Sequence, residues 1–174
     1  MGKKRSYKKQ MRIIICDAGP IIHLHEAGIL SILRNAGEIF LPHSVFVEVI
    51  AATNLADNWP EWLQVEQLAS SELKEAETWA KTGDLHKGEA EAFVLARIKK
   101  ADWLLTDDSA ARLFATLSGL EVHGSLGIVL WNTAHRHLSG TEAEQALYNL
   151  EKSSLWLSAK IFDEARKALI ILTS

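Results

Sequence analysis

Short apolar runs rich in β-branched residues alternate along this chain with longer stretches of helical periodicity. Arg12-Ile13-Ile14-Ile15-Cys16 predicts a buried strand that stops at Asp17 and Gly19-Pro20. Pro20 suits the first position of a helix, which makes Gly19 its cap, and the apolar faces that follow through Leu33 are broken at Gly28. Glu38-Ile39-Phe40-Leu41 predicts a second strand ending at Pro42, with Ser44 capping a helix to about Ala52. A tryptophan-rich connection over 53–62 leads to a candidate edge strand over 63–68. Ser70 or Ser71 caps a polar helix from Glu72 to about Lys81, and Gly83-Asp84 turns the chain. Gly88 opens a helix to about Lys99. Asp102-Trp103-Leu104-Leu105-Thr106 is a further buried strand, closed by Asp107-Asp108 and followed by a helix over 109–117. A short strand near Glu121-Val122-His123 precedes a helix from Ser125, as cap, to about His137. Two helices over 142–152 and 160–172 close the pattern.

Strands alternating with helices imply a parallel sheet of four to five strands with helices on both faces, an α/β architecture. Ligands of such sheets sit beyond the carboxyl ends of the strands. Two of the predicted strands end in aspartate at that place, Asp17 and Asp107-Asp108.

Composition narrows the class. A length of 174 residues with 48% hydrophobic and 24% charged side chains excludes a disordered or low-complexity chain and fits one folded domain. The single cysteine, Cys16, excludes a disulfide scaffold and a cysteine-rich zinc site and suits a reducing cytoplasm. No apolar run approaches 18 residues, so no membrane span is expected, and the basic opening stretch lacks the apolar core of a secretory signal.

The net charge of −3 hides an uneven distribution. Six of the 19 positive charges (Lys3, Lys4, Arg5, Lys8, Lys9, Arg12) lie in residues 1–12, which hold no acid, so the remainder carries 13 positive and 22 negative charges. Residues 1–11 read as a basic arm and residues 12–174 as the domain, its last part (about 140–174) a helical extension. The arm is either a solvated terminus or an attraction for nucleic acid.

Several acids sit where apolar residues surround them. Asp17 follows a buried strand with no capping role left to it. One of Asp107 and Asp108 suffices to cap the next helix, and the other needs a different explanation. Glu48 stands alone in Val45-Phe46-Val47-Glu48-Val49-Ile50-Ala51-Ala52, and an unpartnered carboxylate in such company needs a counter-charge, a proton or a metal. Glu89 and Glu91 open a largely apolar helix about 200° apart, so only one faces a given point, and periodicity does not choose between them. Carboxylates grouped at strand ends repel one another unless a cation offsets them, and all-oxygen donors select Mg²⁺ or Mn²⁺ over Zn²⁺. Such a centre activates water and stabilises charge on a phosphoryl group.

Other chemistries fail on spacing. His25-Glu26 is not followed by the second histidine of a zinc-peptidase motif, because Ile29 stands there. His123-Gly124-Ser125-Leu126-Gly127 lacks the first glycine of a nucleophile elbow, and there is no phosphate-binding glycine loop. His23 and His25 read as packing residues.

Taken together, Asp17-Ala18-Gly19-Pro20-Ile21-Ile22-His23-Leu24, Leu41-Pro42 with Glu48, Leu85-His86-Lys87-Gly88-Glu89-Ala90-Glu91-Ala92, Leu104-Leu105-Thr106-Asp107-Asp108 with Ala111-Arg112, and His123-Gly124-Ser125-Leu126-Gly127 resemble the PIN-domain family. The order and spacing are similar to those of its bacterial and archaeal branch related to VapC toxins, over roughly residues 12–135. The resemblance implies a Rossmann-like three-layer sandwich and a metal-dependent endoribonuclease using one or two Mg²⁺ or Mn²⁺ ions. By position it makes Asp17, Glu48, Glu89 and Asp107 the catalytic and metal-holding acids, with Asp108 and Glu91 as second choices. Arg112 and Ser125 become candidate phosphate contacts, against structural readings as an ion-pair partner and a helix cap. It further implies an RNA substrate, a small antitoxin protein as partner, a homodimer and a cytoplasmic location. Many relatives carry Ser or Thr two residues after the first aspartate, where this chain has Gly19. That departure motivates the alternative of a catalytically silent module that binds a protein or RNA. Trp59 and Trp62, flanking Pro60, fit either an interface or a cover for the sheet edge.

Overall fold

The computed structural model describes residues 11–174; the basic residues Lys3 to Lys9 lie outside that range. Five strands, β1 (Ile13–Cys16), β2 (Glu38–Pro42), β3 (Leu63–Glu66), β4 (Trp103–Leu105) and β5 (Val122–His123), form one sheet in the order β3-β2-β1-β4-β5. Every neighbouring pair is parallel. The strand order reverses at β1, which pairs with β2 on one side and β4 on the other, with Cys16 opposite Leu105. That reversal opens a crevice beyond the ends of β1 and β4, and Asp17 and Thr106-Asp107 are the next residues along those two strands.

Eight α-helices surround the sheet: α1 (Ala18–Glu26), α2 (His43–Ala52), α3 (Ser70–Gly83), α4 (Lys87–Lys99), α5 (Ser109–Leu117), α6 (Ser125–Ala134), α7 (Gly140–Lys152) and α8 (Ala159–Thr173). Short 3₁₀ turns occupy Leu30–Asn35 and Leu55–Asn58. The strands are apolar on both faces because both are covered. Ile14, Cys16, Ile39, Leu41 and Leu105 face a core built with α1, α2, α6, α7 and α8. Ile15, Phe40 and Leu104 face the other way, onto Ala92, Leu95, Ala96 and Ala115 of α4 and α5. The small residues of α4 let that helix lie close to the sheet. The PIN-like α/β sandwich and the C-terminal helices expected from the sequence are therefore present, with five strands.

Several helix starts differ from expectation, each for a local reason. Helix α1 begins at Ala18, not Pro20; proline is tolerated anywhere in a first turn, where no N–H has an intrahelical acceptor. Helix α2 begins at His43, with Pro42, still paired with Glu66 of β3, at the cap position; Ser44 is not its cap and turns its hydroxyl to Glu91. In α3 and α4 the residue before the helix is Ala69 or His86, and the third helical residue, Glu72 or Glu89, accepts its backbone N–H at 2.6 or 2.8 Å. Helix α6 ends at Ala134, three residues early, because Arg136 adopts φ +60°. Trp59 packs edge-on against Phe46 and donates its indole N–H to Leu63 of the edge strand at 3.0 Å, which matches the sheet-cover reading. No helix among the described residues is long and apolar enough to cross a membrane.

Candidate active site

Asp17 forms the floor of the crevice. Its backbone N–H still belongs to the sheet, donating to Leu105 O at 2.9 Å. It occupies the cap position of α1 without a side-chain capping bond. The carboxylate is 7% exposed and accepts the Thr106 hydroxyl at 3.1 Å. Burial pushes its carboxyl from the usual range to about 7, and the Glu89 and Glu48 carboxylates add to the rise; the Ala18 N–H and Thr106 hydroxyl oppose it. The preceding residue, Cys16, is wholly buried and its thiol is raised well above its ordinary value, by burial first and then by Asp17 and Asp107.

Glu48 enters from α2 and Glu89 from the first turn of α4, and the absent side chain of Gly88 leaves room beside Glu48 and Asp17. A Cβ there would lie 3.2 Å from Glu48 Oε2 and 3.8 Å from Asp17 Oδ1. Glu89 is half-buried, with its carboxyl raised by burial and by the charges of Asp108 and Glu48, against the His86 N–H that it accepts. Glu91 turns to the other flank of α4. It is 4% exposed, accepts the Ser44 hydroxyl and lies 3.8 Å from Lys87 Nζ. Of the two, Glu89 lies near enough to Asp17 for its charge to raise that carboxyl, whereas Glu91 is held by Ser44.

The two strand-end aspartates also separate. Asp108 caps α5, accepting Ala111 N–H at 2.8 Å. Asp107 does no capping and is held from three directions. Ser125 N–H donates to Oδ1 at 2.7 Å, Ser125 Oγ donates to Oδ2 at 2.6 Å, and His23 Nδ1 bonds Oδ2 at 2.7 Å. Gly124, not Ser125, is the cap of α6. Ser125 is fully buried with its hydroxyl committed to Asp107, which removes it as a phosphate contact in this arrangement. The close approach requires glycine before it, since a Cβ on Gly124 would meet Asp107 Oδ1 at 2.7 Å. Arg112 Nη2 reaches the same spot, 3.1 Å from that Cβ position, and forms no ion pair among the described residues. It is exposed at the rim.

His23 is the site residue that sequence reasoning missed. Gly19 lies one helical turn earlier on the same face of α1. A Cβ on Gly19 would sit at ordinary contact distance from this pair, 3.5 Å from His23 Cε1 and 3.8 Å from Asp107 Oδ2.

Among the described residues, no three His, Cys, Asp or Glu side chains are already gathered at metal-binding distance. The donor set nevertheless fits a hard cation: Asp17, Glu48 and Glu89 offer only carboxylate oxygens, the deepest is buried with no cationic side chain against it, and the gap at Gly88 lies between two of them. Asp107 borders the same crevice from β4, fixed by its hydrogen bonds.

Fold and crevice together define a Rossmann-like α/β domain whose ligand end is lined by carboxylates. The family model described as PIN domain matches residues 13–170, and the chain belongs to the PIN-domain family. No curated protein matches the chain. PIN domains are nuclease-type domains that typically use divalent metals.

Proposed function

We propose that this protein is a Mg²⁺- or Mn²⁺-dependent endoribonuclease of the VapC-related branch, the toxin of a cytoplasmic toxin–antitoxin pair, with single-stranded RNA as substrate. The observation that carries the reading is Asp17, a carboxylate buried at the strand-order reversal beside Glu48 and Glu89, with no side-chain cation among the described residues to offset them. Asp17, Glu48, Glu89 and Asp107 would hold the ion, which supplies Lewis-acid activation of water and of the phosphodiester. The Thr106 hydroxyl orients Asp17 through Oδ2. His23 and Ser125 fix the Asp107 carboxylate so that it does not rotate away when the charge around it changes. Arg112, exposed at the rim beside Gly124, offers its guanidinium to an incoming phosphate. A small antitoxin covering the crevice and a homodimer belong to the same proposal.

Purified protein with Mn²⁺ should cut single-stranded RNA, and an Asp17→Asn/Asp107→Asn double variant should not. Equal cleavage by the two removes the nuclease reading. The second reading, a silent module, has Gly19 and the ungathered carboxylates in its favour. Calorimetry separates the two, because a silent module gives no Mn²⁺ heat that disappears in Asp17→Asn.

The roles of the two α4 acids can be tested in the same instrument. Glu89→Gln should weaken Mn²⁺ binding by about 10–100-fold, whereas Glu91→Gln should change it by less than about threefold. The reverse order would transfer the ligand role to the Ser44 flank.

A further inference from the structure

A ring-lined, positively charged corner lies at the end of the sheet opposite the acids. Arg12 enters β1 there, about 17 Å from Asp17 by the rise of five extended residues. Its guanidinium lies 3.9 Å from the centroid of the Trp103 ring and 5.5 Å from that of Trp131, and it donates to Ala36 O at 2.7 Å. Among the described residues it pairs with no carboxylate. Trp131, at the end of α6, stacks on His135 with centroids 4.1 Å apart and planes 24° from parallel, and His137 lies nearly parallel at 5.8 Å. The left-handed turn at Arg136 brings both imidazoles back onto the same indole. Arg12, Trp131, His135 and His137, with Asn35 and Gly37, line an open recess of about 300 Å³. A second recess beside Arg12 is bordered by Lys100, by Lys99, which pairs with Glu66 at 2.8 Å, and by Asp102.

Two independent features point to the same ligand chemistry. Flat rings, partly exposed and already nearly parallel, offer stacking faces to a nucleobase, and an unpaired guanidinium against them offers charge to a phosphate. A duplex would hide its bases from such rings.

We propose that the recess formed by Arg12, Trp131, His135 and His137 binds a single-stranded RNA segment, with a base stacked on the Trp131–His135 pair and the backbone phosphates drawn by Arg12 and Lys100. The biological sense of the site rests on the ribonuclease reading: it holds a substrate segment away from the scissile bond. Its existence does not rest on that reading, and the test keeps the two apart.

The test uses the full chain carrying Asp17→Asn, with EDTA present, and a fluorescein-labelled single-stranded RNA 12-mer read by anisotropy. His135→Ala/His137→Ala, two exposed positions outside the crevice, should weaken binding by about 5–100-fold, the range that lost stacking gives. The same RNA annealed to its complement should bind more weakly to the parent and lose less on substitution. A 4-thiouridine version, photocrosslinked and mapped by mass spectrometry, should mark the segment 131–137. Binding unchanged by the double substitution, or crosslinks confined to the crevice, overturns the proposal. So does an absence of RNA binding, which would leave the corner to a protein partner. If RNA binds as described but the active protein cleaves nothing, the ribonuclease reading fails and the binding site stands.

Discussion

Asp17→Asn is expected to stabilise the metal-free protein at pH 8 while removing its response to Mn²⁺. The carboxyl sits near 7 in the folded chain and near 3.8 when unfolded. Between those values the native state holds a proton that the unfolded state has released, so stability falls as pH rises, by up to about 1.4 kcal/mol per pH unit. Below about pH 4 both states are protonated and the penalty is absent; above about 7 it is fully developed. Asparagine keeps the shape and the oxygen that accepts from Thr106 but never ionises. The variant should therefore gain about 2 kcal/mol or more at pH 8, worth about 4–8 °C in Tm for a chain of this length, and nothing at pH 4. In the parent, Mn²⁺ should raise Tm most strongly at and above pH 7, because the cation takes the ionised form. Melting curves in EDTA and in Mn²⁺ at pH 4, 6 and 8 check both halves. A variant less stable than the parent at pH 8 would mean that the charge of Asp17 is already compensated within the fold.

Asp107→Ala should be the most damaging single change near the crevice for folding itself. It leaves the Ser125 N–H, the Ser125 hydroxyl and the His23 ring nitrogen without their acceptor, at a place where Ser125 is wholly buried. Removing one side of such a buried polar cluster costs about 3–5 kcal/mol. Asp107→Asn should cost about 1–2 kcal/mol, because the serine hydroxyl can rotate and the imidazole can change tautomer so that both accept from the new amide. Urea denaturation with EDTA present gives both values. A cost below about 1 kcal/mol for alanine would show that the three bonds do not hold the loop between β4 and α5.

The architecture was legible because its strands are the apolar, β-branched runs 13–16, 38–42 and 103–105, and because each ends on a residue that cannot continue it. Acids stand at two of those ends, Asp17 and Asp107, on the side where parallel α/β sheets place their ligands. Less could be read where a residue's partner lies far along the chain. Ser44 and Ser125 have the composition of helix caps, yet both hydroxyls go to carboxylates that the fold brings from 47 and 18 residues away. His23 looked like packing because its partner, Asp107, is 84 residues distant. Asp107 and Asp108 are adjacent and chemically identical; only the direction of β4 into α5 decides which one caps and which one turns inward. What Glu91 meets likewise depends on how α4 packs, since its carboxylate accepts from Ser44 of α2, information that no helical wheel contains.

The position of Cys16 has a practical consequence. It is the only thiol in the chain, wholly sealed in the native state, and its peptide neighbour is the floor of the crevice. A reagent can reach it only when β1 parts from its surroundings, so its modification rate is a clock for that opening. The molecule thus carries an endogenous reporter, needing no engineered label, of how tightly the metal-free and metal-loaded forms hold the end of β1 closed.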